Sequence, residues 1–318
     1  MRIRFWGVRG SLPSPQLSFQ IQEKISAIIA QMLPSDLETP ESRKQFIASI
    51  PPWLFGTVGG NTSCVSLSLE NDPNELIVFD AGSGLRELGL AIPKTNPEIN
   101  KYHMFFSHCH WDHLMGLPFF NPAYHPKMEL SFYSPRSDLE NVLSFQMSNP
   151  YFPVTMEVMG AKKTFSVLPP APDKISISNA VISYKKMNHP GDSHTYMVND
   201  NKHRFIYATD VELSAEDFTN SNENIAFFQN ADLAVIDSQY TLKDAVEKYN
   251  WGHTSFSVAI DFAVHWKIRR LVLFHHEPNY DDGKLYNILQ SAKWYAERMK
   301  FKDLEIILAT EGLEITLL

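Results

Sequence analysis

Residues 105–113 read Phe105-Phe106-Ser107-His108-Cys109-His110-Trp111-Asp112-His113. Three imidazoles and a carboxylate fall within residues 108–113. Ligand types at that density beside an apolar run are costly to hold near a core unless a metal satisfies them. The run Tyr102–Ser107 reads as a short buried strand. It delivers the cluster to the strand's C-terminal edge, where a rigid scaffold presents it to solvent. His108 and His110 are two apart and can converge on one metal. Asp112 and His113 lie a turn further and can serve a second. The bland alternative is a polar loop with scattered histidines. A His-x-His-x-Asp-His string directly after a strand argues against it.

A two-metal site needs about seven ligands, so later strands must supply more. His189 follows the strand-like Val181–Met187 and precedes the turn signal Pro190-Gly191. Asp210 ends the run His203–Thr209, and His275 follows Leu271–Phe274. The repeated pattern is one ligand at the end of each of several strands. A carboxylate at Asp210 can bridge two cations, whereas a cysteine would favour one soft site. Singly, each residue has an ordinary role as a turn cap or a strand-end polar group. With the first cluster they form a set. Asp80 also ends a strand, Leu76–Phe79, near the same edge. It is a candidate to orient a ligand imidazole.

The segments Phe5–Ser11, Gly59–Cys64, Phe79–Gly84, His108–His113, Asn188–Pro190, Ala208–Asp210, Gly252–Ser255 and Leu273–His275 together resemble the metallo-β-lactamase-fold hydrolases over almost the whole chain. The resemblance implies an α/β fold, an αββα sandwich of two facing mixed sheets covered by helices. It implies a first metal held by His108, His110 and His189. It implies a second held by Asp112, His113 and His275, with Asp210 between them. His276 competes with His275, which directly follows the last strand residues. The implied cofactors are two divalent metal ions. Nitrogen-rich ligation with oxygens suits zinc, with manganese and iron as alternatives.

Within that superfamily the likeness is nearest to the ribonuclease Z-like and cyclic nucleotide phosphodiesterase-like branch. Asp210 stands where lactam-cleaving members carry a cysteine, and His110 where the diiron branch carries a carboxylate. Gly252-His253-Thr254-Ser255 is similar to the Gly-His-Ser-Thr segment of ribonuclease Z and its small-molecule relatives. There the histidine pairs with an acidic residue and assists at the scissile phosphate. The counterpart of that acid is Asp237, an aspartate where glutamate is usual. Asp112, His253 and Asp237 are thus the expected catalytic residues. Asp112 would orient the attacking water and accept its proton. His253, held by Asp237, would donate toward the leaving oxygen.

Composition narrows the partners. The chain has 318 residues with 36 acidic against 28 basic, a net charge of −8. Gripping folded RNA takes a basic surface. Lys162-Lys163 and Lys185-Lys186 are isolated pairs that read as solvated strand ends. These features argue against a nucleic-acid partner and for a small phosphodiester or nucleotide substrate. No apolar stretch approaches the roughly 20 residues that span a bilayer, so no membrane partner is expected. The start Met1–Trp6 enters a strand pattern with no signal-peptide character. The two cysteines, Cys64 and Cys109, are too few for a disulfide framework and predict a cytoplasmic location. Cys109 is expected to face away from the metals as a small wall residue.

No repeat or long linker divides the chain, which predicts one domain over 1–318 with a helical hairpin inserted at about 16–55. Ile21, Ile25, Ile28, Ile29 and Met32 recur at helical spacing as one apolar stripe. The stripe is expected to pack on the body or on a second subunit of a homodimer, or else to form a lid over the pocket. Phe145, Tyr151 and Phe152 are expected in the core, with stacking on a nucleobase as the functional alternative. Strands are predicted near 1–6, 64–69, 76–80, 103–107, 129–133, 163–168, 181–187, 195–199, 204–208, 233–237, 271–275, 304–308 and 313–317. Helices are predicted near 18–32, 40–49, 84–91, 112–119, 138–147, 241–249, 255–266 and 284–299. The expected activity is that of a dinuclear-metal hydrolase of small phosphodiesters, with a 3′,5′-cyclic nucleotide as the leading substrate. A tRNA 3′-end endoribonuclease and a non-catalytic nucleotide-binding sensor are the alternatives.

Overall fold

The computed structural model describes residues 1–170 and 173–318. Two seven-stranded sheets face each other, with helices outside. The first sheet contains β1 (Arg2–Gly7), β2 (Cys64–Ser68), β3 (Glu75–Phe79), β4 (Lys101–Phe105), β5 (Glu129–Ser134) and β6 (Lys162–Val167) in that spatial order. The second starts at its edge with β7 (Ile175–Ile177), then β8 (Ala180–Lys186), β9 (His194–Asn199), β10 (Arg204–Ala208), β11 (Leu233–Asp237), β12 (Arg270–Phe274) and β13 (Glu305–Leu308). The last strand, β14 (Glu314–Thr316), returns to the first sheet beside β1. β3 to β6 run parallel, as do β10 to β13. Parallel strands are covered on both faces and therefore read as continuous apolar runs. Leu233–Asp237 is buried throughout.

Alternation along the strands divides the core. Ile77 and Phe79 of β3 enter the layer between the sheets, while Leu76 and Val78 face the outer helical layer. Phe79 is fully buried. Its ring lies 5.8 Å from Phe105 of its own sheet, and 5.8, 5.7 and 5.1 Å from Tyr196, Phe205 and Tyr207 of the other. Phe79→Ala is expected to lower unfolding free energy by about 3–5 kcal/mol, read as a shifted denaturant midpoint. A loss within about 1 kcal/mol would show that the two sheets do not depend on this contact.

The helices are α1 (Ser18–Gln31), α2 (Pro40–Ser49), α3 (Pro52–Phe55), α4 (Gly84–Thr95), α5 (Leu139–Gln146), α6 (Asn222–Phe228), α7 (Leu242–Glu247), α8 (Phe256–His265) and α9 (Asp282–Arg298). The helix expected over 112–119 is instead two 3₁₀ turns, Trp111–His113 and Leu117–Phe119. Gly116 N donates out of the segment to Ala81 O at 2.8 Å, and Pro118 has no N–H to give. β7, α3 and α6 were not expected from the sequence. Each has seven residues or fewer, too short for a period to register.

Of the places expected for the hairpin's apolar stripe, the body is not the one it takes. α1 turns Lys24 inward, where Nζ donates to Gly56 O at 2.7 Å and to Asp282 Oδ2 at 2.5 Å. Asp282 also accepts from Val58 N at 3.1 Å and faces Arg9 at 3.7 Å. A buried ammonium is tolerable only when paired this way. Ile21, Ile25 and Ile29 of the predicted stripe are therefore exposed, at 46%, 50% and 62%. Among the described residues no helix is long and apolar enough to cross a membrane.

Candidate dinuclear metal centre

The parallel strands place their C-terminal ends along one edge of each sheet, and the two edges meet. Asp80 directly follows β3, Asp210 lies two residues past β10, and His275 directly follows β12. All three residues have left-handed backbone, with φ of 58°, 50° and 60°. The reversal aims each side chain back over its strand end. β11 ends on Asp237 itself, His189 follows β8, and the His108–His113 loop follows β4.

The side chains converge as two groups. His108, His110, His189 and Asp210 each offer one ligand atom, and these atoms lie within 4.8 Å of one another. Asp112, His113, Asp210 and His275 do the same. Asp210 serves both groups with different oxygens. Its Oδ2 lies 3.6 Å from His108 Nε2 and 3.7 Å from His189 Nε2. Its Oδ1 lies 3.1 Å from His113 Nε2 and 3.0 Å from His275 Nε2. His110 offers Nδ1, which is 2.8 Å from His108 Nε2 and 3.3 Å from His189 Nε2. His276 points elsewhere, donating from Nε2 to Ala309 O at 2.9 Å.

Partners behind the imidazoles set their tautomers. His113 Nδ1 donates to Asp80 Oδ2 at 2.8 Å, His189 Nδ1 to Gly252 O at 2.8 Å, and His275 Nδ1 to Gln239 Oε1 at 3.2 Å. Each bond leaves the Nε2 lone pair facing the centre. Glycine makes room for the rings. A Cβ on Gly10 would come within 2.6 Å of the His275 ring, and one on Gly252 within 2.3 Å of His189 Nδ1.

The donor set fits metal ions. His113 Nε2 is buried and makes no hydrogen bond, although Asp112 Oδ2 is 3.2 Å away and Asp210 Oδ1 is 3.1 Å away. These atoms face a shared point rather than each other. Burial holds the His108, His110 and His189 imidazoles below their ordinary range, in the neutral form that ligates. Burial also opposes a charged His113, but Asp112, Asp210 and Asp80 outweigh it and pull His113 upward. Burial resists the Asp210 anion too. His275, His113 and His108 overcome that and hold Asp210 well below the carboxylate range. The centre thus pairs imidazoles held neutral at His108, His110 and His189 with carboxylates whose negative potential draws positive charge to His113, the place a divalent cation would take.

His253 adjoins the second group. Its Nδ1 donates to Asp237 Oδ2 at 2.7 Å, so the shorter aspartate reaches its partner. Its ring stacks 5.1 Å from that of His275 and lies 5.2 Å from that of His189. Burial opposes its cation, and Asp237 overcomes this to raise it above the ordinary histidine range. Cys109 belongs to neither group, and burial pushes its thiol up to about 11.

Several supporting groups had escaped sequence reasoning. Gln239 backs His275, Tyr207 Oη donates to Asp80 at 2.9 Å, and Ser11 N donates to Asp112 Oδ2 at 2.8 Å. Glu212 accepts from Asn250 N at 3.0 Å and Gly252 N at 2.9 Å, fixing the loop before His253. Gln239 carried a signal, two residues past Asp237 at a strand end, and Ser11 closes the Phe5–Ser11 segment of the family likeness. Asp80 also accepts from Ser107 N at 2.7 Å and Ser107 Oγ at 2.8 Å. Asp80→Asn keeps an acceptor and tolerates the left-handed backbone but loses the charge behind His113. Metal affinity is expected to fall about 10–100-fold, as measured by competition with a chromophoric chelator. Affinity equal to the wild type would remove Asp80 from the site.

A family model for the beta-lactamase superfamily domain matches residues 76–276. The chain belongs to that family. Over 284 residues it is 22% identical to the ribonuclease Z of Oceanobacillus iheyensis, covering 73% of this chain and 89% of the relative. The short form of human tRNase Z superposes with a TM-score of 0.64 at 17% identity, covering 100% of both chains. A diphosphatase of the PhnP family superposes at 0.60 with 14% identity, covering 100% of this chain and 98% of the other. These two structures carry the fold: the chain has the metallo-β-lactamase fold of two mixed sheets flanked by helices. The family and the paired His/Asp groups identify it as a metal-dependent hydrolase, near the ribonuclease Z-like branch of the superfamily.

Proposed function

We propose that this hydrolase is a phosphodiesterase acting on a small nucleotide-like phosphodiester, with a 3′,5′-cyclic nucleotide as the leading substrate. The observation that carries the proposal is the His253–Asp237 pair, bonded at 2.7 Å beside two four-residue groups that share Asp210. His108, His110 and His189 would hold one metal, and Asp112, His113 and His275 the other, with Asp210 between them. When bound, two divalent ions supply Lewis acidity and a nucleophile usable at neutral pH. Asp112, whose Oδ2 faces His113 and His275 and accepts from Ser11 N at 2.8 Å, would take the proton of the attacking water. His253, charged and steadied by Asp237, is placed to give a proton to the leaving oxygen. A phosphodiester profits from such a donor because its alkoxide leaving group is a strong base.

The test is turnover of bis(p-nitrophenyl) phosphate, cAMP and cGMP with added Zn²⁺ or Mn²⁺, and its loss on chelation. Metal-dependent release of nitrophenolate or nucleoside monophosphate supports the proposal. No turnover of any phosphodiester overturns it. Processing of tRNA 3′ ends is a second reading, supported by the ribonuclease Z relative. The net charge of −8 weighs against it, because tracking an RNA backbone depends on cationic contacts. A flat binding curve with tRNA at low salt would remove that reading.

A further inference from the structure

Four large rings near the His108–His113 loop lie in water. Trp111 is 80% exposed, Phe119 54%, Phe145 64% and Tyr151 64%. The core role expected for Phe145 and Tyr151 is therefore not theirs. With Cys109 and Phe152 these rings line a cavity of about 720 Å³, within the range of small-ligand sites. Phe145 and Tyr151 lie 5.2 Å apart, and Phe119 and Phe152 meet edge-on at 5.7 Å.

The cavity shares a wall with the metal centre. His110 is extended, with φ −68° and ψ 154°, so neighbouring side chains alternate between the two sides of the chain. His108, His110 and Asp112 face the centre, while Cys109 and Trp111 face the cavity. Residues lining the cavity and residues of the centre are thus chain neighbours, with successive Cα atoms about 3.8 Å apart. A phosphate at the centre and a ring in the cavity are therefore within the span of one small molecule.

The two sides of the centre differ in kind. His253 approaches from the second sheet, just before α8, and is the donor toward the leaving oxygen. The loop with Cys109 and Trp111 follows β4 of the first sheet. The ester group that stays on phosphorus projects to the side of the line from attacking water to leaving oxygen, and the cavity beside the His108–His113 loop offers an aromatic group on it a place to lie. We propose that this aromatic cavity is the subsite for a flat ring, such as a nucleobase, on the arm that stays on phosphorus, which in a 3′,5′-cyclic nucleotide is the ribose carrying both ester oxygens. The proposal rests on the phosphodiesterase reading above. Recognition is by stacking, which every base can satisfy. Of the polar groups on the wall, Gln146 is engaged, donating from Nε2 to Leu114 O at 3.2 Å.

Two esters with one leaving group provide the test. Bis(p-nitrophenyl) phosphate retains an aromatic arm, whereas methyl p-nitrophenyl phosphate retains only a methyl. Phe145→Ala, and separately Val142→Trp to fill the cavity, are expected to lower the ratio of kcat/KM for the first ester over the second by about tenfold. A ratio equal to the wild type in both variants overturns the subsite. If wild-type protein loaded with metal hydrolyses neither ester, the phosphodiesterase reading has failed, and fluorescence titration with 5′-AMP then decides the cavity. Quenching that is present in the wild type and absent in Trp111→Phe supports the subsite. Equal quenching in both, or none in either, overturns it.

Discussion

Alanine at Asp210 is expected to leave the purified protein with at most about one metal ion per chain and almost no hydrolytic activity. Both carboxylate oxygens are engaged, one toward His108 and His189, the other toward His113 and His275. The substitution takes a donor from each group at once. It also removes the anion that would stand between two mutually repelling dications. Removing one member of a buried charge set costs about 3–5 kcal/mol, or 10²–10⁴-fold in affinity. Asp210→Asn keeps the shape without the charge and should fall between the two. Elemental analysis after dialysis, alongside turnover of an activated phosphodiester, checks both. Two tightly held ions and normal turnover in the alanine variant would refute the bridging role.

His253→Ala should separate chemistry from metal binding. Both metals are expected to stay, because the two four-residue groups are complete without His253. Turnover should drop by about 10²–10⁴-fold, the usual contribution of a positioned proton donor. The drop should shrink for nitrophenolate esters, whose leaving group needs little protonation, and be largest for alkyl esters. Asp237, His253 and His275 also lie close enough to hold an ion themselves. Metal content of the variant therefore decides the assignment. A metal-poor His253→Ala protein would make His253 a ligand and reopen the place of His275.

The strand ends were the most legible part of this chain. His108, His110, Asp112, His113, His189, Asp210 and His275 are polar groups following apolar runs, and the fold brings them to one centre because parallel strands share a C-terminal edge. The division of strands between two sheets left no periodic trace and came from family likeness alone. Periodicity also left the hairpin's contact with the body open. It finds an apolar stripe on α1 but not the side from which a partner comes, and Lys24 took the inward position because Asp282 was there to pair with it. Phe145 and Tyr151 were misplaced for a similar reason, since aromatic content records a capacity for burial rather than its occurrence. Gln239 and Tyr207 act through long-range contacts that no local pattern encodes.

Asp80, Asp210 and His275 hold left-handed backbone at three strand ends, a conformation that costs residues other than glycine about 1–3 kcal/mol each. Against the 5–15 kcal/mol that typically holds a domain folded, this is a sizeable conformational debt placed at one spot. Ions that bind only the folded chain stabilise it by an amount that grows with the logarithm of their free concentration over Kd. Heat and proteases should therefore discriminate between loaded and bare molecules, and the cell's own turnover would remove the bare ones first.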